Sequence, residues 1–150
     1  MRDEQLRLNT TVSIAEVPGT VCALEAFWVR RGVHPDDLPD LAVAAEEMIS
    51  NVVRHGGASR LEVRTCCSGG EARIEIEDDG VEFNPAAYPQ ADIHAPLEER
   101  RVGGLGILMV RRMMDSVQWT RQDGRNIFTF TMAKRLASRS GADAPDAQQA

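Results

Sequence analysis

Long apolar runs are missing from this chain. None approaches the roughly 20 residues that span a bilayer, so no membrane segment is expected. The first ten residues, MRDEQLRLNT, lack the apolar core of a secretory leader. Cysteine is scarce: Cys22, Cys66 and Cys67 make an odd count, two of them adjacent, with no zinc-type spacing. They read as reduced thiols, and the expected location is cytoplasmic. Basic residues are in deficit, 17 Lys and Arg against 23 Asp and Glu, for a formal net charge of -6. A nucleic-acid binder presents a basic face, so no direct nucleic-acid partner is expected. No internal repeat is visible.

What remains is an ordinary globular composition over 150 residues, 43% hydrophobic and 27% charged, enough for one domain with a real core. Leu6 and Leu8 alternate with polar neighbours, which predicts a short strand over 5–10. Val21, Leu24, Phe27 and Trp28 form a helical stripe within 19–32, ending near Gly32. Asp36 is the expected N-cap of a second helix running to about Arg54. Its buried stripe is Leu38, Leu41, Ala45, Met48 and Val52, and Gly56-Gly57 stops it. Leu61, Val63 and Thr65, then Ala72, Ile74 and Ile76, predict two strands joined by a hairpin turn at Ser68-Gly69-Gly70. Residues 85–102 have no clean period, hold Pro85, Pro89 and Pro96, and read as a long functional loop. A helix follows over 104–115. A last hairpin pairs 117–120 with 127–132 across Asp123-Gly124. Residues 136–150 read as a disordered polar tail behind a domain of residues 1–135.

Three motifs carry chemistry. Glu47, Asn51 and Arg54 share one face of the second helix, expected to lie away from its apolar stripe. An Asn oxygen is a hard, uncharged donor suited to Mg²⁺, and a Glu one turn earlier could take a proton from an attacking hydroxyl or water. The ordinary alternative is a solvated helix face. Asp78-Asp79-Gly80 ends an alternating strand. Asp78 could accept a hydrogen bond from an exocyclic amine, and Gly80 would let the backbone approach a flat ring. The alternative is a simple Asp-Gly turn. Gly103-Gly104-Leu105-Gly106 opens a helix, whose bare N–H groups and partial positive charge suit an anion. No Lys-Ser/Thr follows, so it is not a Walker loop, and the spacing is not that of a Rossmann fingerprint. The alternative is a hinge before a core helix.

In this order and spacing the motifs describe an ATP site, and the chain resembles a GHKL ATPase domain, the fold of gyrase, MutL and histidine kinases. The resemblance covers about residues 5–135. It rests on LAVAAEEMISNVVRHG (41–56), DDGVEFNP (78–85) and GGLGILMVRRMMD (103–115). Within that family it is most similar to the small anti-sigma-factor serine kinases. Val81-Glu82-Phe83 stands where Gly and Phe are frequent, and Asn84 where Asp is, without removing any implied ligand.

The resemblance implies a two-layer α/β sandwich of the GHKL (Bergerat) type, with a mixed, mostly antiparallel sheet and helices on one face. It implies that Asn51 holds Mg²⁺, that Glu47 is the catalytic base, and that His55 lies near the nucleotide. Asp78 would bind adenine with Gly80 beside it, and Gly104 and Gly106 would line the phosphates of ATP under a lid over 86–102. The implied function is a protein-serine kinase and anti-sigma factor. It would phosphorylate a serine on an anti-sigma-factor antagonist and sequester a sigma factor, with a homodimer as a further expected assembly. A nucleotide-dependent binding module and an ATPase that transfers phosphate to water are the alternatives.

Overall fold

A computed structural model describes residues 4–68, 71–83 and 104–133. The Gly69-Gly70 turn, most of the long loop with its lid, Gly103 and the polar tail lie outside the described residues. The elements are β1 (Gln5–Thr10), α1 (Val17–Arg30), α2 (Leu38–His55), β2 (Leu61–Ser68), β3 (Glu71–Asp78), α3 (Gly104–Met113), β4 (Ser116–Gln122) and β5 (Arg125–Ala133). A short 3₁₀ turn, Ile14–Glu16, leads into α1.

The strands form one sheet in the order β1-β2-β3-β5-β4. Every pairing among the described strands is antiparallel, where a mixed sheet was expected. The two-layer α/β class itself stands. β5 is inserted between β3 and β4, so Asp78 pairs with Asn126 at one end of the sheet and Glu71 with Ala133 at the other. Asp123 and Gly124 both take positive φ, 52° and 76°, as a two-residue turn matched to strand twist requires.

Alternation decides the layers. Leu61, Val63, Thr65 and Cys67 of β2 and Ala72, Ile74, Ile76 and Asp78 of β3 are buried, while their neighbours are not. The helices cover that buried face. α1 presents Val17, Val21, Leu24, Phe27 and Trp28; α2 presents Leu41, Ala44, Ala45, Met48, Ile49 and Val52. These steps of three and four make one stripe per helix. Trp28 Nε1 donates to Thr65 Oγ1 at 2.9 Å, and that hydroxyl donates on to the Arg73 carbonyl at 2.7 Å, tying α1 to the sheet.

Helix ends follow local chemistry. α1 stops where Gly32 turns to φ +81°. There the Val33 N–H reaches the Trp28 carbonyl and the Gly32 N–H that of Val29, the bonding pattern of a glycine-ended helix. Asp36 does not cap α2: its own N–H turns back to His34 Nδ1. Asp37 takes the cap position, its carbonyl accepting from the Leu41 N–H at 3.2 Å.

α2 crosses the sheet from one end to the other. Asp37 and Leu41 line a small pocket with Ala72 and Met132, near the Glu71–Ala133 end. At the far end the Gly56 carbonyl accepts from the Val81 N–H at 2.7 Å, just past Asp78. α3 packs along α2.

Candidate functional site

The far end of α2 meets the end of β3 through Gly56, Gly80 and Val81. Asn51 lies five residues before Gly56, about 7.5 Å along the axis from its contact with Val81, with Glu47 one turn earlier. Asn51 does not sit on a solvated face. It is 4% exposed, although Arg54 on the expected shared face is exposed. Among the described residues neither Oδ1 nor Nδ2 of Asn51 has a hydrogen-bond partner. Glu47 is half-buried. His55 is the last residue of α2.

Asp78 is 2% exposed. Its Oδ1 accepts from the Gly80 N–H at 2.8 Å and from Asn126 Nδ2 at 3.1 Å. Its Oδ2 is buried and, among the described residues, has no partner. Burial raises the Asp78 carboxyl above its usual range, against the lowering pull of Asn126 and Gly80; Asp79 adds to the rise and Arg121 opposes it. Asp79, one residue on, is the opposite case. Its carboxylate accepts from the Ser59 hydroxyl and from the N–H groups of Ser59 and Arg60, at 2.6 to 2.8 Å. Those bonds hold it down to about 2.

Gly80 has a use that its sequence context did not reveal. A Cβ there would lie 2.2 Å from the Gly56 carbonyl oxygen and 2.9 Å from Asp78 Oδ1. The space beside it is filled by the end of α2, so any side chain would push α2 away from β3. The segment 78–81 is fixed from other sides as well. Arg121 donates to the Gly80 carbonyl at 2.8 Å, and Asn126 Nδ2 to that of Val81 at 2.7 Å.

Gly104 opens α3 and Gly106 lies in its first turn. The N–H groups of a first turn have no intrahelical acceptors. The last turn is anchored at the opposite end: the Asp115 N–H donates to the Thr131 carbonyl at 2.8 Å, and the Ala133 N–H donates to the Asp115 carboxylate. The ten residues of α3 put its glycine-led start about 15 Å from that anchor. No described contact joins Gly104 or Gly106 directly to Asn51 or Asp78.

Asn126 was not singled out in the sequence, yet it touches Asp78 directly. A signal was present: it shares a strand face with Phe128, Phe130 and Met132, and a polar residue on an apolar strand face is buried for a reason. Asp79, Ser59 and Arg121 gave no comparable signal, because their partners are distant in sequence.

The donor set fits a metal-bound adenine nucleotide. Among the described residues one buried carboxylate oxygen and one buried amide oxygen lack partners, a set that would suit an amine and a hard cation. Among the described residues no group of three or more His, Cys, Asp or Glu could hold a metal alone. A cation here would therefore share its ligands with phosphate and water.

Comparison with known proteins gives the family. Serine-protein kinase RsbW of Bacillus mycoides (strain KBAB4) is 30% identical over 113 residues, 71% of each chain. RsbW of Bacillus cereus (strain G9842) matches to the same extent. Among solved structures, the RsbU and RsbW domains of Rv1364c from Mycobacterium tuberculosis superpose with TM-score 0.65 at 18% identity. That match covers 87% of this chain but 32% of the solved one, so the chain spans about a third of it. The SiaB-SiaC complex from Pseudomonas aeruginosa gives TM-score 0.54 at 20% identity, over 85% of this chain and 88% of that one. At these identities the structures speak to the fold alone. The family described as the histidine kinase-like ATPase domain matches residues 11–132, and this chain belongs to it.

Proposed function

We propose that this chain binds ATP with Mg²⁺ and acts as a protein-serine kinase and anti-sigma factor, phosphorylating an anti-sigma-factor antagonist in a partner-switching system. The observation that carries the reading is the pair of buried, unpartnered polar groups: the Asn51 amide and Asp78 Oδ2. A buried polar atom left without a partner costs about 1–3 kcal/mol, so groups kept in that state at a helix–strand junction suit a ligand that completes them.

Each residue has a distinct task in this reading. Asp78 Oδ2 accepts from the exocyclic amine of adenine; a base with a carbonyl there would oppose acceptor to acceptor. Asn51 Oδ1 holds the cation. When bound, Mg²⁺ supplies charge that stabilises the phosphate oxygens during transfer. The first-turn N–H groups of Gly104 and Gly106 receive phosphate oxygens, and His55 lies beside the nucleotide. Glu47 takes the proton from the acceptor serine as its oxygen bonds to the γ-phosphorus; the bond to the bridging oxygen breaks and ADP leaves.

The relatives named serine-protein kinase, at 30% identity, support a serine acceptor over water. A sigma factor as second partner, a homodimer and a cytoplasmic location complete the reading. Among the described residues no helix is long and apolar enough to cross a membrane.

The test is incubation with γ-labelled ATP and candidate antagonist proteins, followed by phosphoamino-acid analysis. Label on an antagonist serine is the expected result. Label released only as inorganic phosphate would replace the kinase with an ATPase. Binding without turnover would leave a nucleotide-dependent binding module.

A further inference from the structure

Asn126 is 1% exposed and its amide meets four polar groups. Its Oδ1 accepts from Trp119 Nε1 at 3.1 Å and from the Phe83 N–H at 3.2 Å. Its Nδ2 donates to Asp78 Oδ1 at 3.1 Å and to the Val81 carbonyl at 2.7 Å. Asp78 Oδ1 also takes the Gly80 N–H.

The orientation of this amide is not free. An indole N–H and a backbone N–H can only donate, and a backbone carbonyl can only accept. Turning the amide over would set its oxygen against the Val81 carbonyl and Asp78 Oδ1, and its NH₂ against two donors. All four contacts would become repulsive, so the network itself fixes the assignment. The donor end must therefore face Asp78. With Gly80 and Asn126 both on Oδ1, that oxygen is occupied, and Oδ2 is the one left as a bare acceptor.

We propose that Asn126 is a positioning and specificity-determining residue: it fixes the plane of the Asp78 carboxylate, so that one oxygen is engaged and the other is held toward the base, and Trp119 sets Asn126 in turn. This rests on the adenine reading of Asp78 given above. Asn126 does not touch the base itself. It acts by removing the rotational freedom of the Asp78 carboxylate, so that the order needed to accept an amine hydrogen is present before the ligand arrives. Trp119 is half-buried on β4, two strands from Asp78 in the sheet order, and is linked to it through this amide.

The test compares two ligands that differ by one amine: ATP and purine riboside triphosphate, which lacks it. Titration calorimetry with Mg²⁺ gives the affinity ratio for each protein. The wild type should prefer ATP by roughly tenfold to a hundredfold, the worth of one hydrogen bond to a charged group. Asn126→Ala should bring the ratio to about threefold or less while leaving affinity for the amine-free ligand within about twofold. A merely structural role would weaken both ligands together and leave the ratio intact, and that result would overturn the proposal.

Asn126 is a buried hub and its removal could unfold the chain, so Trp119→Phe is the second variant. It keeps the apolar bulk and one of the two donors to Oδ1. The ratio should fall part of the way, between wild type and Asn126→Ala. An unchanged ratio in Trp119→Phe would refute its part in the chain of contacts. If the wild type itself binds both ligands equally, the adenine reading of Asp78 fails instead, which separates the two failures.

Discussion

On the outer face of the sheet, charge meets charge. Arg64 pairs with Glu62 at 3.0 Å, hydrogen-bonds Glu75, and lies 3.6 Å from Glu77. Arg7 joins Glu62 at 3.2 Å, and Arg125 joins Glu77 at 3.0 Å. Burial works against the Arg64 cation, but its bonds to Glu75 and Glu62 outweigh this and hold its pKa above the usual range. At the end of the inner face the pattern reverses. Asn51 and Asp78 are more deeply buried than any of those charges, and among the described residues each keeps polar atoms with no partner. The two sets lie on opposite faces of the sheet: Glu75 and Glu77 of β3 face out, Asp78 of the same strand faces in, and Asn51 stands on α2. A network that satisfies itself is structural. One that stays open at an energetic cost is organised for something absent from the chain. The same contrast is compressed into one dipeptide, where Asp79 is fully engaged and Asp78 half engaged.

The sharpest way to probe the open cluster is through its chemistry. Glu47→Ala should reduce serine phosphorylation by roughly 10²–10⁴, the usual contribution of a positioned base, and leave ATP affinity nearly intact. Asn51→Ala should lose both, because a metal ligand serves binding and transfer alike. Rate assays beside calorimetry read the split; equal loss of binding in the two variants would remove Glu47 from the role of base.

The closed cluster should behave the other way. Arg64→Met leaves Glu62, Glu75 and Glu77 without their shared cation. Urea denaturation should show a loss of roughly 1–3 kcal/mol, between the values for exposed and buried pairs. ATP affinity should not move, and a large change in it would mean that the two faces are not independent.

The smallest effect belongs to Asp79. Its folded pKa, about 2, lies below the usual 3.8. The stability it adds is therefore full above 3.8 and is lost as pH falls through about 2. The gap in urea midpoint between wild type and Asp79→Ala should hold constant at neutral and mildly acidic pH and narrow within that window. Asp78 carries the opposite sign. Its raised pKa makes the folded state less stable above that pKa, and the cost is relieved as pH falls through it.

Much of the fold was legible because periodicity is local. The stripe in α1, the long amphipathic α2 and the alternation in β2 and β3 each emerge at their expected places. The cap position lies one residue beyond Asp36, at Asp37, whose carbonyl accepts the first intrahelical N–H. Non-local facts were not legible. Nothing in the sequence of β4 and β5 says that β5 is the strand that pairs with β3. The spacing of Glu47, Asn51 and Arg54 predicts one face away from the apolar stripe, yet Asn51 is buried, because a helical period cannot tell what packs along the flank of the stripe. For Gly80, the expected need was room for a flat ring; the structure adds a second demand, a carbonyl from the end of α2, more than twenty residues away. The Asn126 amide was overlooked for want of knowing which strand would lie beside Asp78.

One measurement meets the central claim directly: thermal melts of wild type and Asp78→Asn, each with and without ATP and Mg²⁺. The substitution keeps the shape of the side chain and removes a charge whose burial opposes folding. Without nucleotide, Asp78→Asn should melt at or above the wild type. With nucleotide, the wild type should rise in Tm as bound ligand stabilises the folded state, and the variant should rise far less, its affinity being roughly tenfold to a hundredfold lower. A variant that melts well below the wild type without nucleotide, or gains as much from it, would show that Asp78 serves the fold and that the open cluster is not a nucleotide site.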